Sequence, residues 1–533
     1  MGLFVAFGGF LYGYDTGTIS GILAMPHFIE TFHDRTSAAG VQSISASRQS
    51  LIVSILSAGT FFGALFGAPT GDFLGRRLGL VFGCLVFCLG VALQTAATMT
   101  DLFAAGRFFA GLGVGIISCL VPMYQSESAP KWIRGTIVSC YQLAITLGLL
   151  VAAIVNNATK DRDNAAAYRI PIGIQFAWAA VLAGGMLLLP ETPRFLVKRG
   201  NMEAAAKALG RLRALPADSE EIQEELKEIK ANHDYELSLG AATYRDVFRG
   251  GPGGGNLRRV LIAIFIQMFQ QLTGVNFIFY YGTTFFKNSG IKNEFTISMI
   301  TNVVNVVSTF PGLYMVEKLG RRWLLIFGAC GMAVSQWIVV IVGVSTDSDA
   351  ANKVLIAFVC LFIAFFACSW GPVAWVVVGE IFPLKTRAKS MSMGTASNWF
   401  WNWLLAFVTP YMMDEDKGNL GVKVFFVWGS TCLTCILFSY FFIPETKGLS
   451  LEEVDEMMAT TTARNSTKYR PSVTTQLRDQ YAMDASGMVR LSVLVFCNTV
   501  YIHAWKGKVE GLSIIMREIP EEFVRLYYGY LYL

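Results

Sequence analysis

Twelve apolar stretches run through this chain, and each is long enough to cross a lipid bilayer as a helix. A hydrocarbon core of about 30 Å needs about 20 apolar residues per helix. The chain is 53% hydrophobic and 15% charged, with a mean hydropathy of +0.48. This pattern predicts an all-α membrane protein with twelve transmembrane helices and excludes a soluble enzyme. The predicted spans are residues 2–24, 50–71, 78–97, 101–124, 135–156, 171–190, 259–286, 296–317, 323–344, 354–378, 388–412 and 422–443.

The two halves of the chain carry the same charged motifs in the same order. Gly-Arg-Arg follows the second span and the eighth, and Pro-Glu-Thr closes the sixth and the twelfth. A Glu with an Arg seven residues later follows the fourth span and the tenth. We therefore predict one six-helix bundle used twice, which is how alternating-access transporters are built.

Basic residues cluster in short loops on one side of the bundles and in the long segment between them. This clustering predicts that side to be cytoplasmic, with both chain termini there too. Residues 201–215 and 218–231 have the spacing of amphipathic helices, and a Gly-rich stretch follows at 250–255. The predicted domains are a first bundle at 1–193, a cytoplasmic helical linker at 194–258, a second bundle at 259–457 and a mostly disordered cytoplasmic tail at 458–533.

The repeated motifs place opposite charges at the cytoplasmic ends of neighbouring spans. We predict that these charges bridge the two halves when the outer mouth is open and separate when the inner mouth opens. The alternative is that the positive charges only set the topology. The predicted gating charges are Asp72, Arg76, Arg77, Glu127, Arg134, Glu317, Arg321, Arg322, Glu380 and Arg387.

A carboxylate stands within the first apolar span. Asp15 is costly inside a bilayer, and its natural partner is Arg107 on the fourth span. A nearby Arg would hold Asp15 ionised, and protonation would release the pair, which is the chemistry of a proton-coupling switch. The alternative is a permanent structural salt bridge.

Neutral polar side chains recur on otherwise apolar spans of both halves. Carboxamides offer hydrogen-bond donors and acceptors without charge, which suits a neutral polyhydroxylated ligand, and aromatic rings match the apolar face of a pyranose. The alternative is that the amides join helices to one another. These residues are Gln142, Gln270, Gln271, Asn276, Asn305, Asn398 and Asn402, with the aromatics Tyr280, Tyr281, Trp375 and Trp399.

The sequence contains no phosphate-binding loop, hydrolytic triad or metal-ligand cluster that we recognise. We therefore expect no cofactor, no metal and no nucleic-acid partner.

Five longer motifs are more specific than the features above: GGFLYGYDTGTISG at 8–21, PMYQSESAPKWIRG at 122–135, QQLTGVNFIFYYG at 270–282, GPVAWVVVGEIFPLKTR at 371–387 and IPETKGLSLEEVDE at 443–456. With these motifs the chain resembles, from about residue 8 to residue 457, the sugar porter family of the major facilitator superfamily. The sequence is most similar to those of fungal hexose transporters and the related fungal glucose sensors. The resemblance implies two six-helix bundles around a central sugar site, with a small helical cytoplasmic domain, and we expect the protein in the plasma membrane.

The resemblance implies a hexose carrier, with glucose as the expected substrate and alternating access as the mechanism. Asp15 matches the acidic position of the family's proton symporters, yet some facilitative fungal members also have Asp there. Proton symport and facilitated diffusion therefore both stay open, as does a non-transporting glucose sensor on the same scaffold. By position, the implied sugar contacts are Gln142, Gln270, Gln271, Asn276, Asn305, Trp375 and Asn398, with Tyr12, Phe366 and Gly371 lining the same cavity.

Overall fold

The computed structural model describes most of the chain up to Tyr469, and these residues form one compact unit. The predicted tail beyond residue 469 and residues 250–254 of the Gly-rich stretch lie outside the described residues. The described residues are 1–36, 42–130, 134–238, 243–248, 255–288, 294–346, 348–383, 386–414, 417–449 and 451–469.

The first six spans form the first bundle. A short helix, α3 (Pro26–Phe32), and two antiparallel strands, β1 (Arg35–Thr36) and β2 (Gln42–Ser43), lie between the first span and the second. The spans are α1 (Gly2–Val5) with α2 (Phe7–Ile22), α4 (Ala46–Phe73), α5 (Arg76–Ala96), α6 (Thr100–Ser128), α7 (Arg134–Thr159), and α8 (Ala166–Gly173) with α9 (Gln175–Leu188).

Four helices of the linker follow, and the first three share a small apolar core of their own. Ile222 and Leu226 are buried in it and Ile229 packs against it, which confirms the predicted apolar face. The second of the two predicted helices extends to Ser238, beyond the predicted end at 231. The helices are α10 (Pro193–Lys198), α11 (Met202–Arg213), α12 (Glu220–Ser238) and α13 (Tyr244–Val247).

The last six spans form the second bundle, and a helix and a short 3-10 turn at Ser466–Lys468 follow it. A second 3-10 turn, Gly421–Lys423, leads into the twelfth span. The helices are α14 (Gly255–Leu272) with α15 (Val275–Asn288), α16 (Glu294–Leu319), α17 (Arg321–Ser345), α18 (Asp349–Cys368) with α19 (Trp370–Glu380), α20 (Arg387–Met413), α21 (Val424–Phe442) and α22 (Leu451–Thr460).

All twelve predicted spans are helical. Among the described residues, ten helical segments are long and apolar enough to cross a membrane. The other two spans are the first, which is broken at Ala6, and α20, whose sequence is rich in polar residues. The structure is a twelve-helix membrane fold of two six-helix bundles.

The two bundles meet along a seam of two helix pairs. The second span (α4) packs against the eleventh (α20), and the fifth (α7) packs against the eighth (α16). The sequence repeat relates the second span to the eighth and the fifth to the eleventh, so each pair is the counterpart of the other. The duplication seen in the sequence is therefore also present in the packing.

Two spans are broken near the centre of the second bundle. The seventh span breaks between Leu272 and Val275, where Gly274 has φ of +81° and an added Cβ would overlap the Trp428 ring. The tenth span breaks at Ser369, and Gly371 and Pro372 lie in the first turn of the helix that follows. Both breaks lie next to the cavity described below.

Candidate functional site

A central cavity lies between the two bundles. Both halves contribute side chains, so the shape of the cavity depends on how the bundles are placed. The lining residues are Tyr12, Thr16, Tyr141, Gln142, Ile145, Leu149, Gln270, Gln271, Val275, Asn276, Phe279, Phe366, Trp375, Asn398 and Trp399.

The structure brings together the predicted sugar-contacting side chains, with one exception. Gln142 lines the cavity from the first bundle, and the other amides and Trp375 line it from the second. Asn305 is fully buried on α16 and is not part of the lining, and neither polar atom of its amide has a hydrogen-bond partner among the described residues. The role of all these residues in binding sugar stays a prediction.

The amides of the second bundle hydrogen-bond to one another. The Gln271 amide nitrogen donates to Asn398 Oδ1 at 3.0 Å, and the Asn398 nitrogen donates to Gln270 Oε1 at 2.7 Å. Asn276 and Asn402 both donate to Gln271 Oε1. These amides therefore join helices, as the alternative predicted, and all of them except Asn402 also line the cavity. Binding of a polyhydroxylated ligand by them stays a prediction.

The aromatic residues separate into two groups. Trp375 and Trp399 line the cavity, and Trp399 also packs edge-to-face on Tyr12 at 4.8 Å between ring centroids. Tyr280 and Tyr281 face α20 instead, where the Tyr280 hydroxyl donates to Asn402 and the Tyr281 hydroxyl donates to the Ala406 carbonyl. Their hydroxyls thus support the site from behind.

Sequence reasoning missed several apolar lining residues. Ile145, Leu149 and Phe279 lie in apolar spans, where composition does not distinguish a cavity wall from a helix interface. Helical spacing was the available signal, because Ile145 and Leu149 follow Gln142 by three and seven residues on one face of α7. Phe279 follows Asn276 by three residues in the same way.

Asp15 and Arg107 form the predicted pair inside the first bundle. Arg107 Nη1 lies 3.1 Å from Asp15 Oδ2, and the two side chains are 2% and 1% exposed. Arg107 also donates to the Ile52 carbonyl, while its Nη2 has no partner among the described residues. Asp15 is not part of the cavity lining, although Tyr12 and Thr16 of the same helix are.

The predicted gating charges lie at the end of the bundles where α4 leads into α5 and α16 leads into α17. We call this end the charged end. In the first half, Arg76 pairs with Glu127 at 2.8 Å and with Asp72 at 3.6 Å. Glu191 of Pro-Glu-Thr accepts from the backbone N–H groups of Arg76 and Arg77, the first two residues of α5. The carboxylate thus caps a helix N-terminus. Burial raises the pKa of the Glu191 carboxyl, and the N–H groups of Thr192 and Arg77 act in the opposite direction.

The second half repeats this geometry. Arg321 pairs with Glu380 at 2.8 Å and with Glu317 at 3.1 Å, and Glu445 accepts from the backbone N–H groups of Arg321 and Arg322. The glycine of each Gly-Arg-Arg has a positive φ, +90° at Gly75 and +87° at Gly320. A Cβ there would overlap the capping carboxylate, which explains why glycine precedes the two arginines.

Bridging of the two halves by these charges when the outer mouth is open stays a prediction. The ion pairs that the structure describes at the charged end all join residues of one half, because each glutamate is held by a helix N-terminus or an arginine beside it. The Arg134 side chain lies outside the described residues, and Arg387 donates within its own half to the Phe382 carbonyl. The halves do touch here, since Gly135 lies against the side chains of Glu317 and Arg321.

Hydrogen bonds between the halves involve single hydroxyl or ring N–H groups. Away from the charged end, Ser20 and Thr283 lie 3.3 Å apart and Ser50 donates to the Phe407 carbonyl. The others are Ser57 to Asn402, Trp399 to Ser118 and Ser392 to the Ala64 carbonyl. An exposed ion pair also joins the halves at the far end, between Arg35 and Asp414 at 3.9 Å.

Comparisons with known proteins agree with this architecture. The family model described as "Sugar (and other) transporter" matches residues 1–458. Among solved structures, the chain is similar to the proton:xylose symporter XylE bound to 6-bromo-6-deoxy-D-glucose. The TM-score is 0.74 and the identity 27%, and the match covers 86% of this chain and 98% of that one.

Three curated fungal proteins are similar over most of the chain. "Major facilitator-type transporter ecdD" of Aspergillus rugulosus is 57% identical, with 88% of each chain covered. "Probable glucose transporter rco-3" of Neurospora crassa is 52% identical, covering 86% of this chain and 78% of that protein. "High glucose sensor RGT2" of Saccharomyces cerevisiae is 44% identical, covering 86% of this chain but 60% of the sensor. Together with the twelve-helix fold, these matches show that the chain belongs to the sugar transporter family of the major facilitator superfamily.

Proposed function

We propose that this protein carries a hexose, with glucose as the preferred candidate, across a membrane by alternating access. The observation that carries the proposal is the central cavity, in which neutral amides and aromatic rings from both halves face one space. Amides can exchange hydrogen bonds with sugar hydroxyls, and the rings of Trp375 and Trp399 can cover the apolar face of a pyranose. The glucose transporter relative supports the choice of substrate.

The proposed sugar contacts come from both halves. Gln142 would bind from the first bundle, and the second bundle would supply Gln270, Gln271, Asn276, Asn305, Trp375 and Asn398. Movement of the broken seventh and tenth spans would close the cavity from one side or the other. Asn305 would reach the sugar only after such a movement, because it is buried beside the cavity in the present conformation.

We place the charged end, the linker and both termini in the cytoplasm, because basic residues concentrate on that side. A hexose carrier of this family is expected in the plasma membrane. The domain boundaries at 193, 258 and 457 are part of the same proposal. The lipid bilayer and a monosaccharide are the expected partners.

Proton coupling is a further part of the proposal. The Asp15–Arg107 pair is buried within one half, and Asp15 lies on α2, the helix that also supplies Tyr12 and Thr16 to the cavity. Protonation of Asp15 would release Arg107 and let α2 shift against α6. The likeness to a proton:xylose symporter supports this assignment.

Uptake of labelled glucose in cells without their own sugar carriers tests the proposal. We expect uptake above background that a protonophore abolishes and that Asp15→Asn reduces to equilibration. Uptake that is insensitive to the protonophore would make the protein a facilitator with a structural Asp15. The absence of uptake by protein verified at the cell surface would contradict transport.

A non-transporting glucose sensor is the second candidate, favoured by the 44% identity to the yeast sensor. Glucose would then bind in the same cavity without net transport. Glucose binding to the purified chain combined with no uptake at the cell surface would favour this candidate over a carrier.

A further inference from the structure

We propose that four amides of the second bundle, Gln270, Asn398, Gln271 and Asn402, form a relay whose hydrogen-bond direction is fixed. We call this set the amide relay. It runs from the broken tenth span to the second span of the other half. In it, Asn402 acts as a positioning residue that orients Gln271 for the sugar. The role toward sugar rests on the proposed function, whereas the direction of the relay does not.

One end of the relay is fixed by the backbone. The amide nitrogen of Gln270 donates to the carbonyl oxygens of Trp370 and Gly371, at 3.0 and 2.9 Å. Carbonyl oxygens can only accept, so this nitrogen has one allowed orientation and uses both of its hydrogens. The Gln270 oxygen must therefore point away, toward Asn398.

The orientation of each further amide in the relay is then determined by the amide before it. The Asn398 nitrogen uses its two hydrogens on Gln270 Oε1 and Gln267 Oε1, both at 2.7 Å. The Asn398 oxygen consequently faces Gln271, whose nitrogen donates to it at 3.0 Å. The Gln271 oxygen is left to accept from Asn402 at 3.1 Å and from Asn276.

The other end of the relay reaches the first half of the molecule. Asn402 is fully buried, and its oxygen accepts from the Ser57 hydroxyl at 2.6 Å and from the Tyr280 hydroxyl at 2.9 Å. Ser57 lies on α4, so this bond crosses the seam between the bundles. Asn402 itself does not line the cavity, and it therefore acts on the sugar through Gln271.

The fixed direction determines what the cavity offers to a ligand. Gln271 has used its oxygen and retains one N–H, whereas Asn276 has committed its nitrogen to Gln271. Among the described residues, the structure shows no protein partner for Asn276 Oδ1. A sugar would thus meet a donor at Gln271 and an acceptor at Asn276, which suits neighbouring hydroxyls that accept and donate respectively.

Two substitutions at one position separate positioning from packing. Asn402→Asp keeps the size of the side chain but replaces its N–H donor by a carboxylate oxygen, which then faces the acceptor Gln271 Oε1. Asn402→Leu removes the donor and the acceptor of the side chain together. Because the backbone prevents the relay from reversing, we expect Asn402→Asp to raise the glucose KM about tenfold or more, and Asn402→Leu to raise it less. We also expect the unfolding temperature of the sugar-free chain to be lower for Asn402→Asp than for Asn402→Leu.

The matched control is Ser50→Ala, which removes another hydroxyl bond from α4 to α20, to the Phe407 carbonyl. It should leave the glucose KM unchanged. The relay would be overturned if Asn402→Asp and Asn402→Leu had equal glucose KM values and equal unfolding temperatures, or if both differences had the opposite sign. If the wild-type chain neither binds nor transports glucose, the proposed function fails, and the unfolding order of the sugar-free variants still decides the relay.

A double-substitution cycle tests the far end independently of Asn402. Ser57→Ala and Tyr280→Phe each leave the Asn402 oxygen with one donor, and together they leave it with none. We expect the combined fall in unfolding temperature to exceed the sum of the single effects. Additive effects would contradict a shared acceptor at Asn402.

Discussion

The charged end and the seam between the bundles use different interactions. At the charged end, buried arginines pair with glutamates of their own half, at 2.8 Å in each case. Along the seam, neutral hydroxyls make hydrogen bonds one at a time, as between Ser20 and Thr283. Breaking a buried ion pair costs several times more than breaking a neutral hydrogen bond. Each half is thus held together more strongly than the two halves hold each other, which is what a rocking mechanism requires.

At the charged end, the second arginine of Gly-Arg-Arg contacts different segments in the two halves. The Arg77 guanidinium donates to the carbonyls of Met186 and Leu187 at the end of α9. Its counterpart Arg322 donates to the Tyr440 carbonyl of α21 and to the carbonyl of Arg464, beyond the last span. Ser466 from the same segment accepts the backbone N–H of Glu445. The segment after α22 is therefore an addition to the second half that the repeat does not contain.

The largest effect is expected from removing an arginine at the charged end. Arg76→Ala leaves the 9% exposed Glu127 carboxylate without its partner, which should cost about 3–5 kcal/mol of folding free energy. Thermal unfolding in detergent and the amount of protein in the membrane measure the loss. Lys207→Ala, which breaks a fully exposed pair with Glu203, is the control and should leave stability close to that of the wild type, because solvent screens the pair. Similar stability for the two variants would contradict the claim that the buried ion pairs of the charged end stabilise the protein more than an exposed pair does.

The next effect concerns the cavity. Gln270→Ala or Asn276→Ala should weaken glucose binding about tenfold, because each removes a lining amide, while surface expression is retained. Uptake kinetics normalised to surface protein provide the measurement.

Asn302→Ala is the matched control for the cavity, since it removes a buried amide of α16 outside the central lining. It should leave the KM for glucose within about twofold of the wild type, because it loses no contact to the central cavity. Normal transport by both cavity variants would contradict the site assignment.

A smaller effect is expected at the seam. Ser20→Ala removes one hydroxyl from the contact with Thr283, worth about 1 kcal/mol, and should shift the balance between conformations without lowering stability. A cysteine introduced at Ser298, in the small chamber beside this contact, should then react faster with a membrane-impermeant thiol reagent. An unchanged reaction rate would show that Ser20 and Thr283 do not hold the halves together.

The smallest effect is expected in the segment that only the second half has. Ser466→Ala removes the acceptor for the Glu445 N–H and should cost at most about 1 kcal/mol. Protease cleavage near Arg464 should become faster while glucose uptake is unchanged. A large loss of transport would mean that this segment takes part in the conformational cycle.

The fold could be predicted from the sequence because hydropathy and the repeated motifs can both be recognised from residues that are close together along the chain. Twelve spans, two bundles and the apolar face of the linker helix at Ile222 and Leu226 followed from spacing alone. The partner of each glutamate did not follow. The motif places Arg134 seven residues after Glu127, whereas Glu127 contacts Arg76, which is 51 residues away along the chain. Such a contact depends on how three helices assemble, and the spacing of residues along one helix does not predict it.

The site was predictable in its polar part. Amides in apolar spans stand out, and their helical positions place most of them on one cavity. The helix N-termini at Arg76 and Arg321 also held a usable signal, because a glycine before them cannot cap and an acceptor must come from elsewhere. The direction of the amide relay could not be predicted, since it depends on the carbonyl oxygens of Trp370 and Gly371, which lie beside a helix break.

Distances between spin labels test most directly the claim that rigid halves move about a weaker seam. Leu78 and Trp323 are exposed, occupy matching positions in the third and ninth spans and lie in different halves. Leu188 and Met99 are exposed and belong to the same half. With native cysteines replaced, glucose should change the Leu78–Trp323 distance and leave the Leu188–Met99 distance unchanged. A change within the half, or no change between the halves in a variant that still transports glucose, would contradict the claim.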